Sequence, residues 1–280
     1  FRYFSVLIYF LYPYLYGQSL FNPKDIPFMS IWIFCTYLSF NLFEKLLKKS
    51  FLSYSNVIII GISTALLFST RVTGILILIQ YLITFIIFIN LQKINLIKFF
   101  KEYYTRLITF FLSLSLFIYV FNPLYWNNPL LFIEAINWMT HYYHDVCTNT
   151  LGTCMRAKDL PSTYIPIWLS VKLPTMILLG FLLIPFTEKK IFKGDKVSLV
   201  FGTVLGTAIL IPLLLIFKKV NLYDEIRHLM FLIPFFFIIG VVSLHFFSKK
   251  LFYIIGVLTI SIFVIENLKI HPYQYVWFNL

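Results

Sequence analysis

Apolar runs of about 14 to 22 residues, against the roughly 20 that a lipid-crossing helix needs, recur along the whole chain between short polar breaks. In order they are Arg2–Tyr16, Phe28–Phe43, Val57–Thr70, Val72–Asn90, Leu107–Phe121, Ile165–Phe186, Val197–Phe217, His228–Phe247 and Leu251–Ile265. Backbone N–H and C=O groups in lipid must bond within their own segment, so runs of this kind are helices. The pattern predicts an all-α fold, a polytopic transmembrane bundle of about nine helices. The first run is short, as though truncated, and the third and fifth are short for a full crossing. One interval, Asn122–Tyr164, interrupts the rhythm with a long polar loop carrying Trp126, Trp138 and several Tyr. A loop of that length is functional or disordered; its aromatic content favours order, with a short interfacial helix expected near Leu130–Tyr143. Residues 1–280 read as one transmembrane domain with 122–164 as its large non-cytoplasmic loop, and the start at Phe1, without an initiator Met, reads as a fragment of a longer protein.

Charge then orients the helices. Lys45, Lys48 and Lys49, then Lys93, Lys98, Lys101 and Arg106, then Lys189, Lys190, Lys193 and Lys196, then Lys249 and Lys250 occupy every second loop. Only Glu44, Glu102, Glu188 and Asp195 accompany them, so these loops belong on the cytoplasmic side. The other loops hold Asp25, Glu134, Asp145, Asp159, Asp224, Glu225 and Glu266, together with Arg71, Arg156, Lys158, Arg227, His141, His144 and His271. Polar chemistry therefore gathers on the non-cytoplasmic side. Composition agrees: 12% of residues are charged, against about 25% in a soluble domain, and mean hydropathy is +0.86. The net charge of +12 is lysine facing anionic lipid. With no soluble domain to carry a basic groove, nucleic acid is excluded as a partner, and membrane lipid is the first partner implied. The expected location is an integral, multi-pass position in a bacterial inner membrane rather than the endoplasmic reticulum.

Candidate chemistry lies at the outer helix ends. Asp25, in Asn22-Pro23-Lys24-Asp25-Ile26-Pro27, is either an acidic helix start or a catalytic carboxylate at the membrane surface. Arg227 and His228 stand at the mouth of a helix, where a guanidinium fork and an imidazole can hold a phosphate; the plainer reading is an Arg snorkelling to headgroups. Lys172 lies well inside an apolar run, where a cation is costly and suggests an anion or lipid-phosphate contact, although snorkelling also explains it. The following Pro174 should kink or restart that helix. Cys147 and Cys154 share one outer loop and can form a disulfide, or join His141 and His144 at a zinc ion, although the spacing matches no standard zinc pattern. Glycine-rich phosphate loops and the nucleophile and zinc motifs of soluble enzymes are absent.

Five stretches, in order, resemble the GT-C superfamily of polytopic glycosyltransferases, in its protein-O-mannosyltransferase-like and aminoarabinose-transferase-like branch. They are Tyr16–Phe28 (YGQSLFNPKDIPF), Thr70–Gly74 (TRVTG), Leu160–Pro174 (LPSTYIPIWLSVKLP), Tyr223–Pro234 (YDEIRHLMFLIP) and His271–Asn279 (HPYQYVWFN). The resemblance implies a transferase that takes a sugar from a polyprenyl-phosphate-linked donor on the outer side of the membrane. It makes Asp25 the acid of the second outer loop, with a first loop and its catalytic base upstream of Phe1. It turns Arg227 and His228 toward the donor phosphate with Lys172 assisting, and makes Tyr223, Asp224, His271 and Tyr273 candidate substrate contacts. Such sites can hold a divalent metal; neither the metal, the sugar nor the acceptor is implied by these residues. The segment Cys147–Asp159 departs from the family pattern. The competing classes are a transporter or lipid flippase, which should show discontinuous helices and polar groups near the bilayer midplane, and a non-catalytic relative that binds polyprenyl lipid.

Overall fold

A computed structural model describes residues 1–141 and 146–279, without the side chains of 139–141 and 158. Tyr143, His144 and Asp145, and the side chains of His141 and Lys158, lie outside the described residues. Among the described residues thirteen α-helices follow one another: α1 (Arg2–Leu11), α2 (Pro13–Phe21), α3 (Asp25–Leu47), α4 (Tyr54–Thr70), α5 (Ile77–Gln92), α6 (Leu96–Phe121), α7 (Leu131–His141), α8 (Tyr164–Lys172), α9 (Thr175–Leu182), α10 (Ile184–Ile191), α11 (Asp195–Phe217), α12 (Ile233–Phe247) and α13 (Lys249–Lys269). Between α7 and α8 lies a two-stranded antiparallel hairpin, β1 (Cys147–Thr150) and β2 (Thr153–Arg156).

Among the described residues six segments are long and apolar enough to cross a membrane: Asp25–Leu47, Val72–Gln92, Leu96–Phe121, Asp195–Phe217, Arg227–Phe247 and Lys249–Lys269. A seventh is gained if α8 and α9, bent by 117°, count as one broken span. This is the make-up of a multi-pass membrane protein, and the first and third apolar runs form shorter helices, Arg2–Leu11 and Tyr54–Thr70. The differences have local causes. Tyr12 is extended because the residue before a proline avoids the helical region, so Pro13 splits the first run into α1 and α2. Pro174 splits the sixth, as its lack of an N–H and its ring require, and α10 restarts after Leu183. Conversely, α6 begins far upstream of its apolar run. Asn95 caps it by accepting from the Ile97 and Lys98 N–H groups, and its first turns carry Lys98, Lys101, Glu102 and Arg106. The helix expected near Leu130–Tyr143 is present as α7, and a short hairpin follows it in an otherwise helical fold. Leu151 and Gly152, both at positive φ, make its two-residue turn, and Cys147 and Cys154 are joined in a disulfide across it.

The chain forms two compact units. One comprises Pro27–His144 and Asp195–Thr207. Its α4 and α6 lie close enough that a Cβ on Gly61 would strike the Ser113 side chain, and its apolar core includes Leu46, Val57, Phe88, Phe99 and Leu199. Within it the buried Gln80 accepts from Trp32 Nε1 at 2.8 Å and donates to Thr36 Oγ1 at 2.8 Å. A polar side chain buried in an apolar bundle is stable only when satisfied in this way.

The other unit comprises Phe1–Ile26, Asp145–Gly194 and Ala208–Leu280, and it carries the candidate site. Its α9 and α12 meet backbone to backbone: a Cβ on Gly180 would fall on the Gly240 carbonyl, and one on Gly240 would stand 2.8 Å from Ile177 Cα. Small residues at such crossings let helices gain dispersion contacts that lipid does not supply. Because the obstacle is backbone rather than a movable side chain, Gly180→Ala is expected to lower stability by about 1–2 kcal/mol. Thermal unfolding in detergent checks this; a variant as stable as the parent would mean that the helices do not approach there.

Candidate functional site

The site starts from the break at Pro174. A helix end leaves its last four carbonyls without intrahelical partners, and in α8 these belong to Ser170, Val171, Lys172 and Leu173. All four are met. The Asn279 carboxamide donates to Ser170 O and Leu173 O, both at 2.6 Å, and the Asn279 N–H donates to Val171 O at 2.9 Å. The Tyr12 hydroxyl donates to Lys172 O. The break is thus a fixed feature, and it holds Lys172 at the end of α8.

The Lys172 side chain is fully buried. Its Nζ lies over three rings, Phe278 at 4.1 Å, Tyr14 at 4.9 Å and Trp168 at 5.8 Å from the centroids. Its counter-charge is Glu225, with Nζ 2.6 Å from Oε2. Ring faces and one carboxylate are what a desolvated ammonium needs.

Glu225 is brought there by a turn that ordinary residues rarely make. Asp224 and Glu225 are both at positive φ, 56° and 61°, a left-handed pair that costs free energy without glycine. The turn is pinned from the hairpin, where Thr148 Oγ1 accepts the Asp224 N–H at 3.2 Å, and Thr150 Oγ1 accepts from Trp168 Nε1 at 3.1 Å. The turn feeds Arg227. Its Nε donates to Asp25 Oδ2 and its Nη1 to Asp224 Oδ2, each at 2.7 Å. Asp25 is 1% exposed and lies in the first turn of α3. Asn22 organises the approach: its Oδ1 accepts the Asp25 N–H at 3.0 Å and its Nδ2 donates to Asp25 Oδ2 at 3.0 Å.

A cavity of about 430 Å³ opens beside these groups, walled by Asp224, Glu225, Arg227, Trp168, Tyr275 and the hairpin residues Cys147–Asn149, with Gln18, Phe21 and Val276 completing it. Burial raises the Glu225 carboxyl above the usual carboxylate range, Lys172 pulls it back down, and Asp224 pushes it up again. The two cations Arg227 and Lys172 stand among three carboxylates, Asp25, Asp224 and Glu225.

Of the residues singled out in the sequence, Arg227 bonds to both Asp25 and Asp224, and Lys172 pairs with Glu225, the chain neighbour of Asp224. Only Asp224, Arg227 and Cys147 among them line the cavity. His228 does not: its ring packs edge-on against Tyr223 with centroids 4.5 Å apart. His271 bonds through Nδ1 to Gln274 Nε2 at 3.0 Å, and Tyr273 is exposed; neither lines the cavity, whereas Tyr275 and Val276 of the same segment do. Cys147 and Cys154, bonded to each other, are not thiolate ligands. Among the described residues no three His, Cys, Asp or Glu side chains are grouped to hold a metal ion. The residues that sequence reasoning missed are Glu225, Trp168, Tyr14 and Asn279. Two had a signal: Glu225 stands inside YDEIRH, and Trp168 lies one helical turn before Lys172. No family model, curated protein or solved structure matches this chain.

Proposed function

We propose that this protein is an integral membrane glycosyltransferase. It moves a sugar from a polyprenyl-phosphate-linked donor to an acceptor at the non-cytoplasmic face of a bacterial inner membrane. The observation that carries the reading is the Arg227 guanidinium, held by Asp25 and Asp224 and facing a cavity with aromatic and polar walls. Glycosyl transfer from a phosphate needs charge neutralisation at the departing oxygen, which a preorganised guanidinium provides, and a carboxylate to accept the acceptor's proton. Asp25 supports the reading as the residue that aims Arg227, since its Oδ2 is bonded to the guanidinium and to Asn22.

The test is transfer from labelled polyprenyl-phosphate sugars by membranes containing the full-length protein. Arg227→Ala should lower kcat/KM for the donor by about 100-fold or more, and Asp25→Asn should lower it less, because Asp224 still holds the guanidinium. Transfer at the parental rate in both variants removes these residues from the site. A second reading, a lipid flippase or transporter, is favoured by one observation: α8 and α9 form a discontinuous helix with the buried Lys172 at its break. Uptake or flipping of the labelled donor without transfer decides for it.

A further inference from the structure

The three carboxylates of the site are not equivalent. Asp25 is buried, its Oδ2 accepts from both Arg227 and Asn22, and it does not line the cavity. Asp224 lines the cavity but is half-exposed and bonded to Arg227. Glu225 lines the cavity with 26% of its side chain exposed, and one of its oxygens, Oε2, is held by an ammonium that has no route to solvent. Lys172, for its part, is absent from the cavity wall: three rings and Glu225 enclose it, so a substrate phosphate cannot touch it unless that shell opens. The left-handed turn at Asp224 and Glu225 brings the carboxylate to both places at once, Lys172 behind it and the cavity in front.

We propose that Glu225, in place of the upstream acid that the resemblance implies, is the carboxylate that takes the acceptor's proton, and that Lys172 is its positioning residue rather than a ligand of the donor phosphate. The inference rests on the glycosyltransferase reading. In the step, the acceptor O–H bond breaks and its proton goes to the Glu225 carboxylate. The acceptor oxygen forms the new bond to the anomeric carbon, and the bond from that carbon to the phosphate oxygen breaks with its electron pair going to the phosphate, toward which Arg227 is turned. Nothing is oxidised or reduced. A carboxylate serves as a base only when ionised, so the rate rises with pH through a limb that burial sets above the ordinary carboxylate range. The groups facing Glu225 are Lys172, which lowers that limb, Asp224, which raises it, and the hydroxyls of Tyr12, Tyr14 and Tyr164, with Arg227 on the same cavity wall.

The experiment uses full-length protein in membranes, with labelled polyprenyl-phosphate hexoses and pentoses as probes and both donor binding and sugar transfer as readouts. Glu225→Gln, which keeps the shape, should lower transfer by about 100-fold or more while donor binding stays within about 3-fold of the parent. Lys172→Met should shift the acid limb of kcat/KM to higher pH and leave donor KM in place. Transfer by Glu225→Gln within about 5-fold of the parent overturns the inference, as does an unmoved limb together with a raised donor KM in Lys172→Met. If Glu225→Gln fails to accumulate, Glu225→Asp takes its place: a displaced acid limb supports the role and a parental pH profile overturns it. A parent protein that transfers from none of the donors fails the glycosyltransferase reading itself, and this inference falls with it; a parent that transfers while Glu225→Gln does so equally well fails only the inference.

Discussion

Arg227→Ala is expected to destabilise the folded protein by about 3 kcal/mol, in addition to its effect on the proposed transfer. Breaking a buried ion pair by removing one partner costs about 3–5 kcal/mol, because the remaining charge is left without compensation. Here the charge left behind is Asp25, 1% exposed, whose carboxylate keeps the Asn22 amide but loses the guanidinium. The low end of the range applies because the Arg227 side chain is 35% exposed, so water screens part of the attraction. The cost is asymmetric. Asp25→Asn leaves Arg227 bonded to Asp224 and open to solvent, and should cost about half as much. The double variant Asp25→Asn/Arg227→Ala removes both charges together, so it should be more stable than Arg227→Ala alone, by about 1–2 kcal/mol. Reversible unfolding in detergent measures all three. Strict additivity of the two single changes would mean that Asp25 and Arg227 are not coupled.

The long apolar helices were legible in the sequence because lipid admits almost no other backbone, and the break after Lys172 was legible because Pro174 has no N–H to give. The full length of α6 was not, since its first turns are charged and its start depends on the Asn95 cap. Asp25 and Arg227 were singled out separately, 202 positions apart, but nothing in either segment says that they bond to each other. The cavity wall was the least legible part. Glu225 reaches it only because two consecutive non-glycine residues adopt positive φ, a choice that local propensity disfavours and that the hairpin, through Thr148, helps to hold. Likewise His271 and Tyr273 stood out by residue type, while Tyr275 and Val276 are the residues of that segment on the wall. Residue type marks chemistry, but side-chain direction in an irregular segment follows from tertiary contacts.

The same reasoning makes Asn279 the second residue whose loss should be felt most. All three of its donors, the backbone N–H and the two amide hydrogens, are used on carbonyls at the end of α8. Asn279→Asp changes almost no volume but replaces both amide donors with acceptors, setting a negative charge against the Ser170 and Leu173 carbonyls. A buried carbonyl left without a donor costs about 1–3 kcal/mol. The Ser170 bond lies near solvent, where water can substitute, while the Leu173 bond is half-buried. The expected loss for Asn279→Asp is therefore about 3 kcal/mol, and about 2 kcal/mol for Asn279→Leu, which removes the donors without adding charge. The order of the two variants is the informative part. If carbonyl capping is the role of Asn279, Asp must be worse than Leu; if the residue merely fills space, Asp, the closer isostere, must be the better tolerated. Unfolding in detergent ranks them. Because the capped end of α8 also sets where Lys172 sits, and Lys172 holds Glu225, the proposed role of Glu225 requires that Asn279→Asp move the pH profile of the proposed transfer even at temperatures where the protein remains folded.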